Sequence, residues 1–213
     1  MSTVTRNSYA VGGEGTDPGV RVSRQGATVV VDQYDQWIAE GRVFCSSDAD
    51  GDDTVAAIST WVATTPQLLI DIPSGTTVKP LWVAANNLGT TDGTTGAYII
   101  MYDGVDRFNT GGNSEAITNM RADDNLGSAV TVYTSPTANA ATAARTLYLQ
   151  SYETNNGGQA ALGVHDNLNW TARNHFSPIL VGPAGFLVWI EGDATSPFAW
   201  SLGWAEFPTA DIT

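Results

Sequence analysis

Hydrophobic residues recur at alternate positions in short runs closed by Gly, Pro, Asn or Asp, and the three-and-four spacing of an amphipathic helix is rare. Leu68, Ile70 and Ile72 share one face of an extended segment that Pro73-Ser74-Gly75 turns. Residues 76–85 alternate next, with Val78, Trp82 and Ala84 on one side and Leu81 and Val83 on the other. Residues 97–102 are apolar on both faces, as a strand buried between two layers would be. Residues 28–31, 55–63, 129–134, 146–153, 185–191 and 198–207 supply the other predicted strands. Loops rich in Gly, Asn, Asp and Thr separate them, among them 86–96 and 155–158. Pro80 lies inside an otherwise good strand, which confines that strand to a sheet edge or a bulge.

Many short strands without alternating helices predict an all-β chain, a jelly-roll-like antiparallel β-sandwich over residues 28–213. Two segments compete for helix. One is 114–120, capped by Asn113 or Ser114, and the other is Ser135-Pro136 with the Ala-rich run to Ala144. Residues 1–27, with Gly12-Gly13-Glu14-Gly15 and Asp17-Pro18-Gly19, read as an extended N-terminal arm. Arg6, Arg21, Arg24 and Arg42 put four of the nine basic residues in the first 42 positions. A frayed terminus and an arm that orders against a neighbouring subunit both fit this segment.

Composition narrows the partners. Of 213 residues 42% are hydrophobic and only 15% charged, which excludes charge-driven disorder and a coiled coil. Nine basic against 22 acidic side chains give a net charge of −13, which repels phosphate and speaks against nucleic-acid binding. No run approaches the ~18 apolar residues of a membrane helix, so no membrane partner is expected. The start has no apolar signal-peptide core, and a lone Cys45 excludes an intramolecular disulfide framework or a cysteine zinc cluster. The expectation is synthesis in a reducing cytoplasm, or release without the secretory route, as virion proteins are released by lysis.

Candidate chemistry is sparse. Asp48, Asp50 and Asp52 alternate as carboxylates of a calcium loop do, but Asp53 stands where an EF-hand needs Gly and Ser59 where it needs Glu. A solvated acidic turn accounts for the run, and weak calcium binding at Asp48, Asp50 and Asp52 is the sharper expectation. No other cofactor is expected. His165-Asp166 and His175 lack the motifs of a hydrolase or a metalloprotease and read as surface residues. Glu191 and Glu206, near aromatics on neighbouring predicted strands, have the minimum layout of a glycosidase acid pair, though strand-edge solvation explains both. Seven tryptophans pose the main choice. Trp200 and Trp204 share a strand face with Phe198 and Leu202, and that face is either core (or a subunit interface) or a platform on which sugar rings stack.

The segment 65–83, Thr-Pro-Gln-Leu-Leu-Ile-Asp-Ile-Pro-Ser-Gly-Thr-Thr-Val-Lys-Pro-Leu-Trp-Val, resembles jelly-roll structural proteins of tailed phages: a Pro-led strand, a Pro-x-Gly-Thr turn, then a strand with a central Pro. A later Gly-Gly loop (Thr110-Gly111-Gly112-Asn113-Ser114) and a closing aromatic strand (Trp200-Ser201-Leu202-Gly203-Trp204-Ala205-Glu206) are similar too, so the likeness spans about 55–207. The resemblance implies a non-enzymatic capsid decoration (cement) protein on the virion exterior, bound to the major capsid protein and often a homotrimer, with no catalytic residue. On that reading Arg6, Arg21 and Arg24 contact the capsid, while Tyr34 and Trp37 serve the subunit interface. The competing expectation is a carbohydrate-binding, host-recognition module of a tail fibre.

Overall fold

A computed structural model of the chain describes residues 32–48, 53–88, 95–123, 126–140, 145–151, 167–192, 194 and 196–211. The chain divides into two units, Met1–Gln36 and Trp37–Thr213. The predicted arm, the predicted strand at 28–31 and the three arm arginines lie outside the described residues. Asp32 opens a seven-residue helix, α1 (Gln33–Ala39): its Oδ1 accepts from Tyr34 N (2.8 Å) and its carbonyl from Gln36 N (3.0 Å).

The strands follow in order: β1 (Val43–Ser47), β2 (Val55–Ala56), β3 (Leu68–Ile72), β4 (Thr76–Asn87), β5 (Thr95–Asp103), β6 (Phe108–Thr110), β7 (Asn113–Ser114) and β8 (Thr118–Asn119). Then come β9 (Thr131–Thr134), β10 (Thr137–Ala138), β11 (Arg145–Ser151), β12 (Asn167–Thr171), β13 (Leu180–Val181), β14 (Ala184–Gly192) and β15 (Pro197–Pro208). One sheet runs β12-β4-β15-β1-β8, with β13 beside β4 and β2 beside β15; the other runs β11-β5-β14-β3-β9-β7. The principal strands pair from the two ends of the chain inward: β1 with β15, β3 with β14, β4 with β12, β5 with β11. Successive pairs fall in alternate sheets, so an antiparallel ribbon is wound around the core, which is jelly-roll winding. Among the described residues no helix is long and apolar enough to cross a membrane.

Period-two alternation makes the core. Leu68, Ile70 and Ile72 of β3, with Ile100 and Val188 of the same sheet, share one core with Val83 and Ala85 of β4 and with Phe198, Leu202 and Trp204 of β15. Tyr98 of β5 meets Phe198 of β15 edge-on between the two sheets (6.2 Å, 84°), and Phe44 stacks on its strand neighbour Trp204 within the first sheet (6.3 Å, 24°).

β4 departs from the expected alternation at Pro80. It is an interior strand, and the proline is accommodated by a bulge: Trp82 pairs with Gly203 and Pro80 with Trp204, so Leu81 has no counterpart. The extra residue reverses the pleat, so that Val78, Val83 and Ala85 face the core while Trp82 and Ala84 turn outward. On the other flank of β4 the ladder is split between β13 at Thr77–Val78 and β12 at 82–86. The carbonyls between accept from elsewhere, Leu81 from Ala172 N (2.7 Å) and Pro80 from Ser177 Oγ (2.6 Å).

Both helix expectations in the middle of the chain give way to strands. Residues 113–119 supply β7 and β8, which pair with β9 and β1. Ser135, at φ 48°, turns the chain into β10, which pairs with β6; residues 141–144 lie outside the description. The predicted strand at 55–63 is only β2 plus a bridge from Ile58 to Glu191. Beyond β2 this segment covers the outer face of the second sheet. There Leu69, Leu187, Trp189 and Ala138 form a second apolar cluster with Ile58, Trp61, Phe108 and Tyr133.

Candidate functional site

Indole placement decides what the aromatic strands can do. Trp170, Trp189 and Trp204 are 0% exposed and Trp200 3%. Two of the N–H groups serve the chain itself: Trp189 Nε1 donates to Val62 O (2.9 Å) and Trp200 Nε1 to Asp53 O (3.0 Å). The closing aromatic strand is therefore core, and Trp200 and Trp204 offer no platform. Trp82 is different. It lies on the outer face of the first sheet, half-buried, with Nε1 donating to Ser201 Oγ (2.9 Å) and its benzo ring laid over Gly203, where a Cβ would collide with it.

Glu191 and Glu206, which the sequence leaves open as an acid pair though strand-edge solvation explains both, are not brought together. Glu191 lies near the end of β14, bridged to Ile58, whereas Glu206 lies nine residues along β15 from that strand's first residue, Pro197, roughly 30 Å at ~3.3 Å per residue. A glycosidase pair needs ~5–10 Å. Glu206 also has structural work: Oε2 accepts from Ser128 Oγ (2.7 Å) and Oε1 from Ala129 N (2.9 Å), fastening the loop before β9 to β15.

Of the aspartates expected to bind calcium, Asp50 and Asp52 lie outside the described residues. Asp48 Oδ1 accepts from Asp53 N (3.2 Å), which closes the acidic loop on itself. Among the described residues no three His, Cys, Asp or Glu side chains converge to hold a metal ion. His165 is not described; His175 stacks on Trp170 (6.1 Å, 24°). Trp37 meets Phe207 of its own chain edge-on (5.3 Å, 75°), and the Arg42 guanidinium covers the same ring. Tyr34 is half-buried. Cys45, on the outer face of the first sheet, has its thiol pushed up by burial.

Two features escaped the sequence. The first is a buried ion pair, Arg107 with Asp103 (3.4 Å), both side chains 0% exposed. Asp103 and Asp71 pair with Gly185 from its two sides, and the Arg107 stem crosses Gly185 so closely that a Cβ there would crowd it. Arg107 Nε donates to Asn139 O (2.9 Å) and Nη2 to Ala63 O (3.0 Å). Beside it Asp71 has its carboxyl pushed up, first by burial and then by the nearby charge of Asp106.

The second is an open cleft of about 290 Å³ lined by Tyr102, Asp103, Gly104, Val105, Ile179, Leu180, Val181 and Ala184. Val105, Ile179 and Val181 are 39%, 59% and 49% exposed, and Phe176 on the same segment is 98% exposed. An aromatic residue set in a polar loop, Asn-His-Phe-Ser, was the available signal. In comparisons with known proteins, no family model, curated protein or solved structure matches this chain.

Proposed function

We propose that this chain is a non-enzymatic virion structural protein, a capsid decoration (cement) protein that binds the capsid exterior as a homo-oligomer. The observation that carries the reading is the inward packing of the aromatic ribbons. Trp170, Trp189, Trp200 and Trp204 fill the protein's own layers, so the jelly roll is a rigid block whose interactions belong to its surface. Jelly rolls serve as viral capsid domains, an analogy of fold. Many weak surface contacts multiplied by valency then strengthen a lattice. The acidic, low-lysine exterior keeps a densely arrayed protein soluble, and the arm arginines Arg6, Arg21 and Arg24 offer the opposite charge to an acidic capsid.

Particles purified on a density gradient test this. The chain should co-sediment with them at a copy number in fixed ratio to the major capsid protein, and deletion of residues 1–27 should abolish attachment while leaving a folded oligomer. Absence from particles overturns the reading. The carbohydrate-binding alternative has one foothold, Trp82 rather than Trp200 or Trp204. Sugar-dependent retardation in polysaccharide gels, lost in Trp82→Ala, would favour it.

A further inference from the structure

Val105, Phe176, Ile179 and Val181 are four of the eight large hydrophobic side chains that the described residues expose. Three of them rim the cleft at the β5 end, and the fourth projects three residues before Ile179. Exposed apolar side chains gathered at the rim of a cleft mark an interaction site.

Phe176 is held out by its neighbours on both sides. His175 stacks on Trp170 and its N donates to Thr171 O (3.1 Å), while Ser177 Oγ donates to Pro80 O, the carbonyl left open by the split ladder on β4. Between these anchors the backbone is held while the ring stands in water, so seating it elsewhere costs side-chain rotamer freedom but little backbone ordering.

We propose that Phe176 of one copy of this chain seats in the cleft of the next, between Val105 and Ile179–Val181. The inference rests on the homo-oligomer reading above and names its contact. The occupant follows from what must be covered. A small molecule in the cleft would leave Phe176 in water, and the cleft volume stands at the bottom of the ~300–1,000 Å³ usual for such ligands. A second copy brings a knob for the hole and a hole for the knob, the complementarity that generates closed rings or two-fold pairs.

Charge agrees with this choice. Copies at −13 repel, so they meet best where exposed carboxylates are few. The one carboxylate lining the cleft, Asp103, is buried and paired with Arg107. Arg173 precedes Phe176 by three residues and Asp106 follows Val105 directly, so the segments bearing knob and rim carry charges of opposite sign.

Light scattering after size-exclusion chromatography on the full chain tests the proposal, with Phe176→Asp and Val105→Glu compared against wild type. Both variants lie at exposed positions, and unchanged near-UV circular dichroism establishes that they fold. Wild type should be oligomeric, and each variant should self-associate roughly tenfold more weakly or worse. A photo-reactive benzoylphenylalanine at 176 should cross-link two purified copies through the peptides spanning 102–105 or 179–184. If wild type is oligomeric and Phe176→Asp stays so, this contact is overturned while the oligomer reading stands. A monomeric wild type overturns both. A cross-link to any other surface of the partner copy also refutes the contact.

Discussion

Arg107 is the side chain whose loss should cost this fold most for its position. It is fully buried, yet it lies in the turn between β5 and β6, not between the sheets. Its guanidinium joins three segments remote in sequence: Ala63 after β2, Asp103 at the end of β5 and Asn139 after β10. Replacing it with methionine keeps most of the stem over Gly185 and removes the charge. Asp103 is then a buried carboxylate without its cation, and its Oδ1 already has no hydrogen-bond partner. Breaking a buried pair from one side costs about 3–5 kcal/mol, against a total stability of ~5–15 kcal/mol for an ordinary domain. Removing both charges should cost less, because the desolvated carboxylate goes as well. Urea denaturation monitored by tryptophan fluorescence reads this directly. Arg107→Met should lower the midpoint steeply, and Asp103→Leu/Arg107→Met should recover at least half the loss. A single variant within ~1 kcal/mol of wild type, or a double variant as damaged as the single, would refute the reasoning.

Three further outcomes follow from local geometry. Asp71→Asn should raise the melting temperature at neutral pH: the folded state holds this carboxyl's pKa above the unfolded value, so ionisation penalises folding as pH rises through the folded pKa. The gain should close below about pH 4, where the carboxyl is protonated in both states, and a gain independent of pH would show the charge is not the cause. Gly203→Ala should destabilise by about 1–3 kcal/mol because the new Cβ meets the Trp82 ring, and in a Trp82→Ala background the same change should cost little. An equal cost in both backgrounds would exclude the collision. Glu206→Gln should cost about 1.5 kcal/mol, the low end for charge-assisted bonds since the residue is only half-buried, and should speed amide exchange at 128–130. Unchanged exchange there would remove Glu206 as the fastener.

What the sequence made legible is what alternation and turn chemistry encode locally. Leu68, Ile70 and Ile72 do share a core face, β5 packs Tyr98 and Ile100 on the core and Ile99 and Met101 on the second cluster, and Phe198, Trp200, Leu202 and Trp204 point inward together. Beyond Pro80 the pattern misled for a definable reason. One bulged residue moves every later side chain to the opposite face, so Trp82 was assigned to the side of Val78, and only the register with β15 reveals the shift. The two helix expectations rested on capping and propensity, which are weak beside strand pairing: Asn113 and Ser114 complete an edge next to β9, and Ser135 reverses the chain. The pairing of β1 with β15, more than 150 residues apart, has no local signal. Nor has the Arg107–Asp103 pair. A four-residue spacing suggests a pair on a helix, and here a turn at the end of β5 brings the two together.

The indoles also explain how the described loops are held where strand pairing does not reach. Trp189 and Trp200 belong to the central strands β14 and β15, yet their ring N–H groups reach beyond the strands to the carbonyls of Val62 and Asp53, at the two ends of the irregular stretch after β1. Each ring therefore contributes twice: its area is buried against the sheets, and its single donor fastens a loop that strand pairing does not hold. Such a donor is spent within the chain and is not offered to a ligand. That ties the argument about rigidity to the argument about function, because the residues that would make a sugar platform are the ones that immobilise the block. Among the described residues, the surfaces left for recognition include the outer face at Trp82 and the exposed ring of Phe176. The second is the stronger candidate, since an indole lying on Gly203 already has one face covered, whereas Phe176 has neither.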